Sequence, residues 1–347
     1  MNLLHLIYFI VYLVGCFLYY KWAQKKQIVD TPNERSSHTH QPVRGMGVVF
    51  PILFALFVLF MWKARWIIDA PLSNQIDTIN FVDFGPLFIG LGVVIAGITG
   101  YIDDRVDLRS YVRLPLYTLS AFVALLPVLL TWTASFLYIP ILLVVIVGII
   151  NTYNFMDGIN GITGFYSLVL LFTVICLLKI NHLGVYMDDY SNMIVIGITY
   201  LLAFGIFNYR SKAIAFLGDS GSVSLGLFAC ILLFWVGTIH QRFDIIILLS
   251  VYGVDSVGTI ILRLLRKENI FKAHRSHLYQ DLVHVKGLSH LKVAGIYAIV
   301  QLIINVQYLY YFEQRNIVLY IYLVGLISIY LICKKSLGTL NLSLVKS

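Results

Sequence analysis

Charged side chains are scarce in this sequence. Asp, Glu, Lys and Arg make up 12% of the 347 residues, whereas hydrophobic residues make up 59%. Soluble domains carry about 25% charged residues and under about half apolar ones, so this composition excludes an ordinary water-soluble protein. The apolar residues fall in repeated blocks, each long enough for the roughly 20 residues of helix that cross a bilayer. The composition therefore predicts an integral membrane protein.

The sequence also lacks paired cysteines and the pattern of a secretory signal. The four cysteines are scattered through apolar blocks, and no two of them have the spacing of a metal-binding or redox pair. We interpret them as small buried hydrophobic residues. A secretory signal is also not expected, because no Lys or Arg precedes the apolar run at residues 3–20 and a basic cluster, Lys21, Lys25 and Lys26, follows it.

Eleven apolar blocks predict an all-α, polytopic membrane protein whose single transmembrane domain covers residues 1–347. The blocks fall near residues 3–20, 46–62, 84–101, 113–131, 136–151, 162–180, 192–207, 222–239, 244–262, 292–311 and 317–333. With the N-terminus outside, 20 of the 25 Lys and Arg residues lie in cytoplasmic segments. This positive-inside asymmetry predicts an external N-terminus and a cytoplasmic C-terminus. The net charge of +8 then faces anionic lipids and nucleotides, and nucleic acid binding is not implied.

Every unusual polar segment falls on the predicted cytoplasmic side. A secondary transporter, which is one alternative, would place its polar residues near the midplane in broken helices and would carry an inverted repeat; the sequence has no such repeat. A membrane scaffold without chemistry, the other alternative, leaves this clustering unexplained. Polar groups at one interface are suited to a site where a soluble substrate meets a lipid head group. The segments are residues 30–47, 103–107, 151–164, 208–221 and 274–280.

The most distinctive segment joins the fifth and sixth blocks. Asn151, Asn154 and Asp157 are spaced three residues apart, so a helix would present them on one face. Oxygen ligands of this kind are suited to Mg²⁺, and the glycines that follow would let a polyphosphate approach the backbone. The alternative is a helix end followed by a Gly-rich turn.

Two further segments contribute carboxylates. Asp219 lies in Gly218-Asp-Ser-Gly-Ser before the eighth span, where it could complete a Mg²⁺ site with Asn154 or serve only as a helix N-cap. Asp103 and Asp104 follow the third span; carboxylates at a membrane edge are costly unless they are solvated or coordinating. A solvated cytoplasmic turn is the alternative for this pair.

Basic residues dominate two other cytoplasmic segments. His274, Arg275 and His277 could donate hydrogen bonds to phosphate, although a basic loop with incidental histidines is the alternative. A zinc site is not expected there, because the ligand spacing is wrong and no Cys is near. Arg35 and Arg44, before a Gly turn, could hold a lipid phosphate.

One carboxylate, Asp255, lies deep in a predicted span. Burying it is costly, so it is a functional candidate, but it could instead hold helices together by hydrogen bonds.

Taken in order, these segments resemble the polyprenyl-phosphate N-acetylhexosamine-1-phosphate transferases of glycosyltransferase family 4. The resemblance rests on the Pro/Arg/Ser/Gly segment, the Asp-Asp pair, the N-x-x-N-x-x-D-G block, the G-D-S-G-S block, the span-nine Asp and the His-rich final loop. It implies that Asp219 and Asn154 bind Mg²⁺, for which Mn²⁺ could substitute, and that Asp103 and Asp104 are essential. It also implies that the final loop holds the nucleotide-sugar diphosphate. We expect Asn151 and Asp157 to contact substrate as well.

The implied reaction transfers N-acetylhexosamine-1-phosphate from a UDP-sugar to polyprenyl phosphate in the bacterial inner membrane, with a homodimer as a further expectation. The peptidoglycan branch of the family has three successive histidines and a Glu in the final loop. This chain has His274-Arg-Ser-His277 there, so it is more similar to the branch that initiates O-antigen and capsule chains, sometimes from 6-deoxy sugars. A second departure is Tyr252-Gly-Val254 where the family usually has Pro before the span-nine Asp.

Overall fold

The computed structural model describes residues 3–31, 41–69, 84–131, 136–180, 187–270, 274–312 and 318–340. The chain forms α1 (Leu3–Lys25), α2 (Val49–Asp69), α3 (Gly85–Val106), α4 (Ser110–Thr131), α5 (Ile139–Met156), α6 (Ile162–Lys179), α7 (Met187–Asn208), α8 (Gly218–Ile239), α9 (Ser250–Leu265), α10 (Leu278–His284), α11 (His290–Tyr310) and α12 (Val318–Ser336). Short 3₁₀ segments precede α2, α5 and α9.

The all-α membrane fold predicted from composition is confirmed. Ten helices of the described residues are long and apolar enough to cross a bilayer, and they coincide with the first ten predicted blocks. The eleventh block, at residues 317–333, falls on the 19-residue helix α12, which is outside that set of ten. The direction in which the helices cross the membrane stays a prediction.

Helix α8 forms the centre of the bundle. Its 18-residue membrane window is 83% buried, against 17% for that of α1. Helices α3 and α5 pack along it, and α4, α6 and α2 contact it as well. A helix that is apolar on every side belongs in a core. The outer helices α1 and α12 instead expose Leu, Ile and Phe side chains, as lipid-facing helices do.

Three non-helical segments hold the ends of the helices together on one side of the bundle. Val43 forms isolated β-bridges with Val29, after α1, and with Ala215, before α8. The amide of Val43 donates to the carbonyl of Ile214, and the amide of Phe216 donates back to the carbonyl of Val43. These pairings fix the segment that carries Arg44 beside the start of α8.

Candidate active site

Two carboxylates at the end of α3 meet a third at the start of α8. Asp103 and Asp104 lie in the last turn of α3, because the helix continues to Val106 rather than ending before the pair. Asp219 is the second residue of α8, and Leu217 occupies the N-cap, so the alternative of Asp219 as the N-cap is wrong. The Ser220 hydroxyl donates to the Gly97 carbonyl at 2.8 Å, which sets the register of the two helices.

Asp104 is held by groups from two distant segments. Its Oδ1 accepts a 2.9 Å hydrogen bond from Nε of Arg44, and its Oδ2 lies 3.5 Å from the amide of Ser220. Gly218, beside it, has φ +73°, and a Cβ at that position would lie 2.5 Å from Oδ2 of Asp104. Only glycine therefore lets the backbone of α8 approach this carboxylate.

Asp103 has different partners. Its Oδ1 accepts a hydrogen bond from the amide of Leu108 at 2.7 Å, and its Oδ2 accepts one from Nη1 of Arg113 at 2.8 Å. The sequence did not point to Arg113, which was counted only among the positive-inside residues of a cytoplasmic segment. Arg113 lies ten residues after Asp103 and on the next helix, α4. No local sequence pattern therefore pairs the two residues.

The Asn151–Asp157 segment is only partly helical. Helix α5 ends at Met156, so Asp157 is the C-cap residue rather than a member of the helical face. Asn151 turns its amide back to the Val147 carbonyl at 2.7 Å, and Asn154 is partly exposed in the last turn. The Thr163 hydroxyl donates to Asp157 at 2.7 Å. Burial is the main cause that raises the pKa of Asp157 to about 7; the hydrogen bond from Thr163 opposes this rise and the charge of Asp104 contributes to it.

These acidic groups outnumber their basic partners. Asp219 interacts electrostatically with Asp103 and Asp104, and Asp104 also acts on Asp157, whereas among the described residues the basic side chains bonded to these carboxylates are Arg44 and Arg113. Among the described residues no three His, Cys, Asp or Glu side chains form a ready-made metal site. A hard divalent cation that keeps waters and shares phosphate ligands fits such an acidic, oxygen-rich site, because it needs few protein ligands.

Buried asparagines, which the sequence patterns did not single out, fix the turn after Asp157. Asn160 donates from Nδ2 to the carbonyl of Arg210 at 2.9 Å. Asn208 Oδ1 accepts from the amide of Gly161 at 2.8 Å, and its Nδ2 donates to the carbonyl of Ala215 at 2.9 Å. The α5–α6 turn is therefore bonded to the segment that leads into α8. The only sequence signal was that both asparagines stand in short polar segments.

The final loop contains the short helix α10, which was not predicted. His277 precedes it and is buried, with Nδ1 3.5 Å from Oδ1 of Asp255. His274 Nδ1 lies 2.8 Å from the Ser276 hydroxyl, and burial lowers the pKa of His274 to about 4, so the ring is neutral at pH 7. Arg35 lies outside the described residues.

Arg275 faces a polar cavity of about 300 Å³ that lies between α9, α10 and the end of α12. Three other cationic residues line the same cavity, namely Arg263, Arg266 and Lys334, and Asp281 is the one acidic residue in the lining. A concave site with this excess of positive charge is suited to a phosphate-bearing ligand.

The final loop contacts the turn that carries Asp157. The Tyr279 hydroxyl donates to the carbonyl of Phe155 at 3.0 Å. A Cβ at Gly158 would collide with that same hydroxyl, so a larger residue there would require the Tyr279 side chain to move. The carboxylate cluster and the basic loop are therefore neighbouring parts of one face of the bundle.

An apolar groove opens between α5, α9 and α12. Its volume is about 1010 Å³. Its lining is almost wholly hydrophobic and includes Ile149, Gly253, Val257, Ile261, Ile327 and Leu331. Leu262 borders both this groove and the cationic cavity, so the two lie in succession along α9.

The chain has recognisable relatives. It is 30% identical over 230 residues to the "Probable undecaprenyl-phosphate N-acetylglucosaminyl 1-phosphate transferase" of Bacillus subtilis, an alignment that spans 61% of this chain and 62% of that protein. It is 24% identical to the "Phospho-N-acetylmuramoyl-pentapeptide-transferase" of Streptococcus pneumoniae over 80% of this chain and 87% of that protein. The same-named protein of Thermotoga maritima is 27% identical over 61% of this chain and 73% of its own length.

A sequence profile described as "Glycosyl transferase family 4" matches residues 86–237. This interval runs from α3 through α8 and so includes all three carboxylates of the cluster and the Asn151–Asp157 segment. The resemblance drawn from the motifs is thereby confirmed over residues 86–237, the part of the chain that matches the profile of this family.

Proposed function

We propose that this protein transfers N-acetylhexosamine-1-phosphate from a UDP-sugar to polyprenyl phosphate and releases UMP. The observation that carries the proposal is the convergence of Asp103, Asp104 and Asp219 at the ends of two packed helices, beside Arg44. The name of the Bacillus subtilis relative describes a transferase of this kind, which supports the proposal.

In the proposed reaction a phosphate oxygen of the lipid attacks the β-phosphorus of the UDP-sugar in line with the leaving group. The new bond joins that oxygen to the β-phosphorus, and the bond from the β-phosphorus to the bridging oxygen breaks, so UMP departs with its electron pair. A phosphomonoester with a second pKa near 6 is mostly dianionic at pH 7. General-base help is therefore worth little, and positioning and charge neutralisation supply most of the acceleration.

Asp219 and Asn154 are the proposed ligands of Mg²⁺. When bound, the ion would neutralise charge on the diphosphate as it develops toward the leaving group. Asp104 and Asp103 would be kept in place by Arg44 and Arg113, so that the acidic side chains keep one arrangement.

Arg275 and the cationic cavity beside it are the proposed contacts of the nucleotide-sugar phosphates. Arginine presents a planar set of donors that matches phosphate oxygens. His274 would assist as a neutral hydrogen-bonding ring, since its pKa of about 4 leaves it uncharged at pH 7.

The apolar groove is the proposed channel for the polyprenyl chain. Lipid tails cannot form hydrogen bonds, so polar groups in the lining would be left without partners at a cost in free energy. An apolar lining avoids that cost. The walls of this groove, from Ile149 on α5 to Leu331 on α12, meet that requirement.

We further propose that the protein lies in the bacterial inner membrane with its site on the cytoplasmic side, and that it starts a surface polysaccharide such as O-antigen or capsule. The asymmetry of Lys and Arg supports this orientation. Impermeant labels should reach cysteines introduced near Asp69 from outside the cell, and should reach those near Lys26 and Lys286 only after permeabilisation.

The test is UMP release by purified protein in lipid nanodiscs supplied with polyprenyl phosphate, Mg²⁺ and one UDP-sugar at a time. We expect turnover with UDP-N-acetylglucosamine or a 6-deoxy N-acetylhexosamine, and none with the muramoyl-pentapeptide nucleotide. Asp103→Asn should be inactive, whereas Asp107→Asn, a change at the exposed C-cap of the same helix, should be active. Substrate uptake into proteoliposomes without UMP release would instead support a transporter.

A further inference from the structure

Asp255 is a buried carboxylate on α9 that the proposed reaction does not use. It is 2% exposed. A carboxylate in that position is costly unless hydrogen bonds compensate for the lost water. The identity and origin of its partners therefore indicate what it does.

The partners of Asp255 come mainly from the basic loop. Its Oδ1 accepts from the amide of Leu278 at 2.8 Å, and its Oδ2 accepts from the amide of Tyr279 at 3.2 Å. These are the first two amides of α10, which an N-cap side chain just before the helix would ordinarily help to satisfy. Asp255 thus caps α10 from another helix.

Three side chains also contact the carboxylate itself. The hydroxyl of Tyr297, on α11, donates to Oδ2 at 2.6 Å, and the hydroxyl of Thr259 donates to Oδ1 at 3.3 Å. Nδ1 of His277 lies 3.5 Å from the same Oδ1. Contacts with α9 and α11 therefore hold the Asp255 carboxylate in one position. Its hydrogen bonds to Leu278 and Tyr279 in turn hold the start of α10 in place.

The last helix, α12, holds the loop on both sides of the two amides that Asp255 bonds. Nζ of Lys334, which is 2% exposed, donates to Oδ2 of Asp281 at 2.6 Å and also to the carbonyl of Ser276. A buried ion pair with further hydrogen bonds is rigid, because removing one partner leaves the other charge unsatisfied. Arg275 immediately precedes Ser276, one of the two residues that Lys334 holds.

We propose that Asp255 is a positioning residue, which with Lys334 holds the His274–Gln280 segment so that Arg275 meets the phosphates of the nucleotide sugar. The proposal rests on the proposed function for the identity of that ligand. The placement of the loop does not depend on it and can be measured separately.

The first measurement is hydrogen exchange at the amides of Leu278 and Tyr279 in Asp255→Asn. Asparagine offers one acceptor oxygen where the carboxylate offers two, so at least one of these amides loses its partner. Their exchange should accelerate by about tenfold or more, while exchange in α8 stays unchanged. Asp244→Asn is the matched control. Asp244, in the 3₁₀ segment just before α9, pairs with Arg242 at the end of the span away from the loop. Unchanged exchange in Asp255→Asn would overturn the proposal.

The second measurement is the steady-state kinetics of UMP release. Asp255→Asn should raise the KM for the UDP-sugar by about tenfold, which corresponds to the loss of a charged hydrogen bond, and should leave the KM for polyprenyl phosphate within about twofold. Equal changes in both KM values, or the same change in Asp244→Asn, would indicate general destabilisation and contradict the proposal.

A double-mutant cycle tests whether Asp255 acts through Arg275. Because both changes would disturb one contact, Asp255→Asn should add less than about threefold to the KM for the UDP-sugar in an Arg275→Lys background. Additive effects would overturn the proposal. Should Asp255→Asn fail to fold, Tyr279→Phe removes the hydroxyl that bonds to the Phe155 carbonyl and should still raise that KM severalfold. If the wild type released no UMP with any UDP-sugar, the proposed function would be wrong, and the exchange measurement would still decide whether Asp255 positions the loop.

Discussion

Nε of Arg44 donates a 2.9 Å hydrogen bond to Oδ1 of Asp104, across 60 residues of sequence. The Asp104 side chain is 2% exposed, whereas that of Arg44 is 42% exposed. The arginine therefore fixes a buried carboxylate with one edge of its guanidinium group and keeps another part of the group accessible to an anionic ligand. The two β-bridges of Val43 place Arg44 where it can do so.

Arg44→Gln should reduce kcat/KM by about a hundredfold. The change leaves the buried Asp104 carboxylate without its charged partner. An unpaired buried charge of this kind costs about 3 kcal/mol of free energy. Arg44→Lys keeps the charge but loses the planar Nε contact, so an intermediate loss is expected. UMP release measures both. Arg105→Gln is the control, because Arg105 is exposed one residue after Asp104 and should be nearly neutral. An equal loss in that control would contradict a specific role for Arg44.

Asp219→Asn should reduce kcat by about a hundredfold or more, equivalent to about 2.7 kcal/mol. The change keeps the shape of the side chain and removes the charge of a proposed Mg²⁺ ligand, so the thermal midpoint should remain close to that of the wild type. Asp107→Asn should retain activity. EDTA should stop turnover, and added Mg²⁺ or Mn²⁺ should restore it; turnover that persists in EDTA would show that the metal proposal is wrong.

The hydrophobic pattern was sufficient to locate the eleven long helices, but it did not predict where they end, because polar residues can continue a helix. The eighth block was predicted from residue 222, whereas α8 begins at Gly218, because a polar first turn is still a helix. Likewise α3 continues through two aspartates to Val106. In both cases the carboxylates of the proposed active site are on residues that a hydropathy criterion excludes from the helix.

The grouping of motifs at one face could be predicted from topology, but the individual pairings could not. Asp104 with Arg44 and Asp281 with Lys334 are contacts between residues far apart in sequence, which a single sequence does not encode as a local pattern. Helix α10 was missed because its seven residues are too few for a periodic signal. Its capping box has His277 in place of the usual Ser or Thr, and Asp255, which accepts from its first two amides, is on another helix, so the sequence had no standard cap signal at its start.

Gly253→Phe should raise the KM for polyprenyl phosphate by about tenfold or more. Gly253 lines the apolar groove and has no atom within 4 Å of an added Cβ, so the new ring would occupy the groove without disturbing the core. The KM for the UDP-sugar should not change. Gly295→Phe is the matched control, since that glycine of α11 also has open space beside it and does not line the groove. A change in the KM for the UDP-sugar alone would indicate that the groove binds the nucleotide sugar rather than the polyprenyl chain.

His274 should make stability depend on pH below neutrality. Burial, the main cause, lowers its pKa from 6.5 to about 4. Between these values the unfolded chain binds more protons than the folded one, so stability falls as pH drops from about 6.5 toward 4 and is unaffected above about 7. His274→Gln should remove this component, so thermal midpoints of the variant and the wild type should converge or cross as pH falls. A constant difference from pH 8 to pH 4.5 would contradict a depressed pKa.

Direct attack and a covalent route through Asp103 or Asp104 differ in when UMP is released. In the covalent route a carboxylate oxygen would displace UMP before the lipid binds, giving a burst equal to the enzyme concentration and exchange of labelled UMP into the UDP-sugar. We expect neither, because the dianionic lipid phosphate is already a competent nucleophile. Both carboxylates also already accept hydrogen bonds, from Arg113 and Arg44 respectively, which lower their nucleophilicity. Rapid-quench measurements without lipid decide the matter, with Asp107→Asn as the control. A stoichiometric burst that disappears in Asp103→Asn or Asp104→Asn, and persists in the control, would establish the covalent route instead.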